Sequence, residues 1–296
     1  MDAVLAQCLP LIAGASYAAS ALWSKRATVT GGGVWRITFL TNWGQALILL
    51  PLAFWGEKSI GGRDIAQILA TSLVFFIGQV VVFAGLRFGD VSVLTPVMGV
   101  KVLVVALMAV VLNQEALPVQ WWVAAAIAAG AAVLMGGGKG GDRKRVMAGV
   151  VGGLGAAVAF GGVDILFQCW GAGLGVWRFT SLVMLAMGLW SFLLLPVLEG
   201  PFWKLPREAA ASFIPSLILC VIQMCLMAYS VVVLKGAAWA NLLYSSRGLW
   251  SVLLVWSVGP FFGNHERDTG GRVMLKRLVG SGMLLLAIGL VLLERH

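Results

Sequence analysis

Long apolar segments separated by short polar connections dominate the sequence. A helix needs roughly 20 apolar residues to cross a hydrocarbon core about 30 Å thick. The ten segments that meet this requirement are residues 4–23, 35–55, 66–86, 91–112, 119–136, 147–168, 176–198, 210–233, 238–262 and 273–293. The pattern therefore predicts ten transmembrane helices.

These segments are typical of helices and not of strands in a membrane barrel. A barrel strand alternates apolar and polar side chains over about ten residues, whereas residues 100–112 and 181–195 are almost continuously apolar. Composition agrees, because 60% of the 296 residues are hydrophobic, 11% are charged and the mean hydropathy is +0.95. We therefore expect an all-α integral membrane protein whose main partner is the lipid bilayer.

An internal repeat divides the chain into two halves. The hexapeptide Gly33-Val-Trp-Arg-Ile-Thr38 returns as Gly175-Val-Trp-Arg-Phe-Thr180, and each copy opens an apolar segment. Leu50-Pro51 before Glu57 likewise matches Leu195-Pro196 before Glu199, and Gln79 matches Gln223. The predicted organisation is a first five-helix repeat at 1–136, a basic, glycine-rich linker at 137–146 and a second five-helix repeat at 147–296.

The number of helices in each repeat determines how the halves are related. Because five is odd, equivalent helices cross the membrane in opposite directions, which is the inverted-repeat architecture of many secondary transporters. A substrate site is then expected near the midplane, between the halves. The same arithmetic puts both termini on one side and the linker on the other.

Two cations lie in the middle of predicted spans, where an isolated charge costs several kcal/mol. Lys101 is in span four and Arg247 is in span nine, the equivalent span of the other half. We expect both to face a central cavity and to bind the anionic part of a substrate. The alternatives are a lysine that reaches the interface and a structural ion pair between Arg247 and Asp164 of span six. Asp164 itself is predicted either to pair with a cation or to act as a protonatable coupling site.

Further candidates for substrate binding surround these charges. Polar and aromatic residues near Arg247 suit a polar metabolite with a flat portion, and span two adds one tryptophan. These residues are Trp239, Asn241, Tyr244, Ser245 and Trp43. Arg36 and Arg178, in the repeated hexapeptide, either anchor helix ends at the interface or line the two mouths of the cavity.

Several function classes lack their sequence signals. No Walker motif accompanies the glycines, and no nucleophile and base form a catalytic set, so we expect no enzyme and no ATP-driven transport by this chain alone. Three of the four cysteines lie in predicted spans, Cys169 directly follows one, and the two histidines lie outside them, which argues against a metal or another cofactor. The net charge of +9 is scattered over loops, so nucleic acid is not an expected partner.

The segment Gly85-Leu-Arg-Phe-Gly-Asp-Val-Ser-Val-Leu-Thr-Pro96, the turn Asn113-Gln-Glu-Ala-Leu117 and the helix that follows resemble the repeat of the drug/metabolite transporter superfamily, EamA-like branch. The second half departs from this pattern at Leu243 and at His265 to Arg267. The resemblance implies a secondary transporter that moves a small molecule by alternating access. Together with the two cations, it favours a small anionic or zwitterionic organic metabolite.

The alternatives are an exporter of amphipathic drugs or aromatic compounds and a lipid-linked sugar flippase. The resemblance also implies a multi-pass protein of the bacterial inner (plasma) membrane, and we expect a monomer or homodimer. Lys and Arg counts over the loops place both termini outside, whereas the resemblance implies cytoplasmic termini, so the orientation stays open.

Overall fold

The computed structural model describes residues 3–88, 94, 97–136, 143–258 and 271–294, which are mostly helical with no strand among them. The helices are α1 (Ala3–Ala27), α2 (Val34–Leu49), α3 (Gly62–Phe88), α4 (Lys101–Asn113), α5 (Val119–Gly136), α6 (Arg143–Leu174), α7 (Val176–Trp190), α8 (Arg207–Val232), α9 (Ala237–Tyr244), α10 (Arg247–Val258) and α11 (Gly271–Glu294). The predicted all-α class is thus observed in the described part of the chain.

Among the described residues, five helical segments are long and apolar enough to cross a membrane. They are Val34–Phe54, Gly62–Gly85, Val146–Leu174, Val176–Val197 and Arg207–Val232. Shorter apolar helices occur at Lys101–Asn113, Val119–Leu134 and Val279–Leu293. Outward-facing side chains such as Leu107, Leu193 and Leu286 are more than half exposed, as expected where lipid covers the surface. The chain is an integral, multi-pass membrane protein.

The two copies of the repeated hexapeptide open helices that end in the same way. α2 passes into a tight 3₁₀ turn at Leu50–Phe54, and α7 passes into another at Ser191–Val197. Each turn contains a proline, Pro51 or Pro196, which lacks the backbone N–H that an α-helix would use.

Helices of the first half pack mainly on helices of the second half. α1 packs on α8, α3 on α6, α2 on α7 and α5 on α11. The Ser20 hydroxyl donates to the Ser216 carbonyl oxygen at 2.9 Å, and the Ser216 hydroxyl donates to the Ser20 carbonyl oxygen at 3.0 Å, which fixes α1 against α8. α3 approaches α6 so closely that a Cβ on Gly152 would lie 3.0 Å from the Gly85 Cα.

The predicted ninth span is not one continuous helix. α9 ends at Tyr244 and α10 begins at Arg247, with a turn at residues 245–246. The Ser246 N–H donates to the Leu243 carbonyl oxygen at 3.1 Å and the Ser245 hydroxyl donates to that of Leu242 at 2.6 Å. Serine hydroxyls compete for helix carbonyls in this way, so the backbone tightens here.

The predicted linker and part of span four fall largely outside the described residues. Of the linker at 137–146, only the last four residues are described, and they form the first turn of α6. Of residues 89–96 only Leu94 is described, and α4 begins at Lys101 after a turn at 99–100. His265 and His296 also lie outside the described residues.

Candidate functional site

A cavity of about 260 Å³ lies among the helices, and both sequence halves line it. α1, α2, α3 and α4 contribute side chains from the first half, and α6, α8, α9 and α10 contribute side chains from the second. Among the described residues, its charged side chains are Lys101, Asp164 and Arg247. The volume is close to the lower end of the range usual for small-molecule sites.

Lys101 forms an ion pair with Asp164 at the cavity wall. The Lys101 Nζ lies 2.6 Å from the Asp164 Oδ2, and the two side chains are 12% and 16% exposed. The Asn241 Nδ2 also donates to Asp164 Oδ2, at 2.8 Å, and to the Ala237 carbonyl oxygen at 2.9 Å. One carboxylate oxygen therefore joins α4, α6 and α9, and the ammonium charge of Lys101 is compensated.

Arg247 lies between two aromatic rings. Its Cζ is 5.3 Å from the ring centroid of Tyr17 and 5.0 Å from that of Tyr244, and these two rings meet edge to face at 6.0 Å. Rings at this distance attract a guanidinium through their quadrupoles, but they do not neutralise it. No carboxylate of the described chain lies within ion-pair distance of Arg247.

The alternative that Asp164 pairs with Arg247 does not hold in this structure. Asp164 pairs with Lys101 because α4 packs against α6, whereas α10, which Arg247 opens, packs against α1. The formal charges of the described residues at the cavity therefore sum to one positive charge, and Arg247 is the cation without a paired carboxylate among them.

Four of the other candidates lie outside the cavity lining. Trp239 is fully buried in the core. The Ser245 hydroxyl donates to the Leu242 carbonyl oxygen of α9, and the Asn241 amide donates to Asp164. The Trp43 ring packs on Phe192, with ring centroids 5.4 Å apart. Of the residues expected around Arg247, Tyr244 alone lines the cavity.

The two arginines of the repeated hexapeptide also lie away from the cavity lining. The Arg36 Nε donates to the Gly32 carbonyl oxygen at 2.7 Å, and its Nη1 donates to that of Lys204 at 3.3 Å. The Arg178 Nε donates to the Ala53 carbonyl oxygen at 3.0 Å, and its Nη1 donates to that of Lys58. Each guanidinium thus ties a helix start of its own half to a connection of the other half.

Several polar residues line the cavity that sequence reasoning did not select. They are Tyr17, Thr41, Gln45, Gln79 and Gln223. The Gln79 amide exchanges two hydrogen bonds with Asn42, at 2.9 and 3.0 Å, whereas the amides of Gln45 and Gln223 make none with the described residues. The match of Gln79 with Gln223 across the repeat was the signal that could have identified this pair. Within the described chain, no group of three His, Cys, Asp or Glu side chains could hold a metal ion.

A charged and polar cavity inside a bundle of membrane helices is typical of a membrane transporter. Residues 4–137 match the model of the EamA-like transporter family, which belongs to the drug/metabolite transporter superfamily. The resemblance seen in the sequence is thereby confirmed, and members of this family are transporters and not enzymes.

Other known proteins add information on the fold alone. No curated protein matches the chain. Among solved structures, one crystal structure matches with a TM-score of 0.64 and 17% sequence identity, over 92% of this chain and 96% of that chain. At this identity the match supports a shared fold and carries no conclusion about the substrate.

Proposed function

We propose that the chain is a secondary active transporter that moves a small anionic or zwitterionic organic metabolite by alternating access. The observation that carries the proposal is the uncompensated charge of Arg247 in a cavity lined by both halves. A half-buried guanidinium that contacts two rings and pairs with no carboxylate of the described residues can donate N–H groups to the oxygens of a carboxylate or phosphate. Such a substrate removes the net charge of the cavity.

The proposed architecture is ten membrane-spanning helices in two inverted repeats. Its support is the reciprocal packing, in which the first helix of each half packs on the third helix of the other, namely α1 on α8 and α6 on α3. In the ninth span, α10 starts inside the membrane segment, as in the broken helices of many transporters. Reporter fusions at residues 140 and 296 should report opposite compartments, and a shared compartment would contradict ten spans.

We propose that Lys101 also binds the anion, but only when the anion displaces Asp164 from its ion pair. Its ammonium is already bound to Asp164, so it reaches the substrate only if the substrate competes with that carboxylate. Arg247 is therefore the primary anion contact, and Lys101 is the residue through which substrate binding alters the Asp164 pair. Asp164 keeps the role of ion-pair partner or coupling site in this proposal.

A second candidate function is the export of amphipathic drugs or aromatic compounds. The observation that favours it is the apolar part of the cavity wall, which consists of phenylalanine, methionine and small aliphatic side chains. Its larger members are Phe75, Phe160, Phe167, Met98, Met224 and Met227. Methionine and aromatic surfaces adapt to varied apolar ligands. The two proposals therefore differ in the charge of the expected substrate and not in its size.

A ligand panel on the purified protein distinguishes the two candidates. Monoanions, zwitterions and neutral aromatic compounds are compared for the thermal stabilisation they produce, since a ligand at 100 times its Kd contributes about 2.7 kcal/mol. We expect anions or zwitterions to stabilise the wild type, and Arg247→Gln to lose this effect. Arg207→Gln, the same change at an exposed arginine outside the cavity, is the control. Stabilisation by neutral aromatic compounds alone would favour the exporter.

Ligands that stabilise the wild-type protein are then tested for uptake into proteoliposomes, which distinguishes transport from binding. The proposed location is the bacterial inner membrane, and the proposed oligomeric state is a monomer or homodimer.

A further inference from the structure

Glu199 closes a contact between the two halves at the start of α2. Its Oε1 accepts a hydrogen bond from the Trp35 N–H and its Oε2 accepts one from the Arg36 N–H, both at 3.0 Å. These amides belong to the first turn of α2, where N–H groups have no partner within the helix. Gly33, with φ of +72°, makes room for the carboxylate, because a Cβ there would lie 2.5 Å from the Glu199 Cδ.

The same contact is reinforced in the reverse direction. Arg36, on α2, donates to the Lys204 carbonyl oxygen in the connection that contains Glu199. The rings of Phe39 and Phe202 lie 5.2 Å apart between the same two segments. We call this set of contacts, formed by residues 33–39 with residues 199–204, the first clasp. It ties the first half to the second at one end of α2.

The repeat defines a second clasp with the equivalent residues. Glu57 matches Glu199, Gly175 matches Gly33, and Trp177 and Arg178 match Trp35 and Arg36. The arginine part of this clasp is formed, because Arg178 donates to the Ala53 carbonyl oxygen at 3.0 Å. The second clasp therefore joins residues 175–181 of the second half to residues 53–58 of the first.

The carboxylate part of the second clasp is open. Glu57 is exposed and makes no hydrogen bond or ion pair with the described residues. A Cβ on Gly175, whose φ is +84°, would meet nothing within 4 Å, whereas the equivalent Cβ on Gly33 would collide with Glu199. At the second clasp, no carboxylate of the described residues accepts from the Trp177 and Arg178 N–H groups as Glu199 does from those of Trp35 and Arg36.

We propose that Glu199 and Glu57 are alternating gate residues. In the state described here, Glu199 caps α2 and holds the first clasp closed. In the opposite state, Glu57 caps α7 by accepting hydrogen bonds from the Trp177 and Arg178 N–H groups, and Glu199 leaves α2. The inference rests on the proposed alternating-access function, and it assigns to two carboxylates outside the cavity the task of closing its two ends in turn.

Distances between spin labels at the two clasps test the exchange without any substrate. One pair of labels replaces Val29 and Arg207 beside the first clasp, and a second pair replaces Ser59 and Ala172 beside the second. These positions are exposed, and the labels are placed in a background free of the four native cysteines. Pulsed electron–electron double resonance on the labelled protein in lipid nanodiscs then gives the populations of short and long distances between the two labels.

Glu199→Gln is expected to favour the opposite state by about tenfold, because two hydrogen bonds to a carboxylate are weakened. The distance beside the first clasp should lengthen and the distance beside the second should shorten in the same fraction of molecules. Glu208→Gln is the matched control, since Glu208 is an exposed glutamate of the first turn of α8 near the same clasp, and it should leave both distributions unchanged.

The Glu57→Gln variant tests whether Glu57 acts as a gate residue or has only a structural role. Glu57 has no contact to lose in the described state, so a merely structural view predicts no effect of this change. The gate predicts that the short distance between residues 59 and 172 becomes about tenfold less populated. The double variant Glu57→Gln/Glu199→Gln should return the ratio of the two states towards that of the wild type.

Two results would overturn the gate. One is a Glu199→Gln variant whose first clasp opens while the second distance stays unchanged, and the other is a Glu57→Gln variant identical to the wild type. Either result leaves the transport proposal intact, because that proposal is tested by ligand binding and uptake. Conversely, reciprocal distance changes in a protein that binds none of the tested anions would leave the gate standing and contradict the proposed substrate class.

Discussion

Lys101 and Arg247 occupy matching places in the two halves, yet their surroundings differ. Each cation opens a helix directly after a turn, in the fourth of the five spans that the sequence predicts for its half. In each case the neighbouring residue comes from the first helix of the other half, Asp164 of α6 for Lys101 and Tyr17 of α1 for Arg247. One half therefore supplies a carboxylate where the other supplies an aromatic ring.

Because of this difference, the charge of Lys101 is compensated within the protein, whereas the charge of Arg247 is not. A carboxylate oxygen at 2.6 Å compensates the ammonium charge of Lys101, whereas the rings of Tyr17 and Tyr244 contact the Arg247 guanidinium without neutralising it. Both halves thus carry a cation at the matching position, and the residue that contacts the cation determines whether its charge is compensated. Changes that exchange or remove the partners should affect the two halves unequally.

The largest expected effect is that of Asp164→Asn. The variant keeps the amide contact to Asn241 but leaves Lys101 buried without a counter-charge and near Arg247, so we expect a loss of about 3 kcal/mol in unfolding free energy. Chemical denaturation of the purified protein in detergent measures it. The double variant Lys101→Met/Asp164→Leu should recover most of the loss, because it removes both charges together. An Asp164→Asn protein as stable as the wild type would show that the pair is not closed in the membrane.

A smaller effect is expected from Gly14→Ala, which tests the backbone beneath Arg247. An added Cβ would lie 2.7 Å from the Ser246 Oγ and 3.1 Å from the Arg247 backbone nitrogen, so α1 and the turn before α10 must separate. We expect a loss of about 2 kcal/mol, in the range usual for overpacking, together with weaker anion binding. Gly282→Ala, where a Cβ meets nothing within 4 Å, is the matched control and should not destabilise the protein.

The smallest effect is expected from Tyr17→Leu, which removes one of the two rings at Arg247. The expected loss is about 1 kcal/mol, since a partly desolvated cation–π contact is worth this much. Tyr17→Phe keeps the ring and should retain most of the stability. Thermal unfolding of the three proteins side by side measures the difference. Equal losses for Phe and Leu would assign the effect to the hydroxyl and not to the ring.

Sequence reasoning located the charges of the site because they interrupt apolar segments. Lys101, Asp164 and Arg247 stand out among aliphatic neighbours, and the structure places all three at one cavity. Their pairing was not accessible in the same way, since it depends on α4 packing against α6 and α10 against α1. Which cation binds the substrate stays a prediction.

Nearness in sequence was a weaker guide to the cavity than the repeat. Trp239 and Ser245 are close to Arg247 along the chain, but Trp239 is fully buried in the core, and the Ser245 hydroxyl, in the turn, donates to the Leu242 carbonyl oxygen. Gln79 and Gln223, which match across the repeat, both reach the cavity. The helix class followed from hydropathy, whereas the turn at 245–246 did not, because hydropathy does not respond to local hydrogen bonding.

The packing of α1 on α8 and of α3 on α6 has a consequence for how the protein can be assembled. Each half leaves the faces of its first and third helices uncovered until the other half is present. We therefore expect that the two sequence halves do not fold independently of each other. Two separately translated fragments, divided in the connection between them, are expected to be degraded when made alone and to accumulate as a stable complex when made together. Under the proposed inverted-repeat architecture, duplication of an ancestral segment would require two copies of it to associate before any linker joined them.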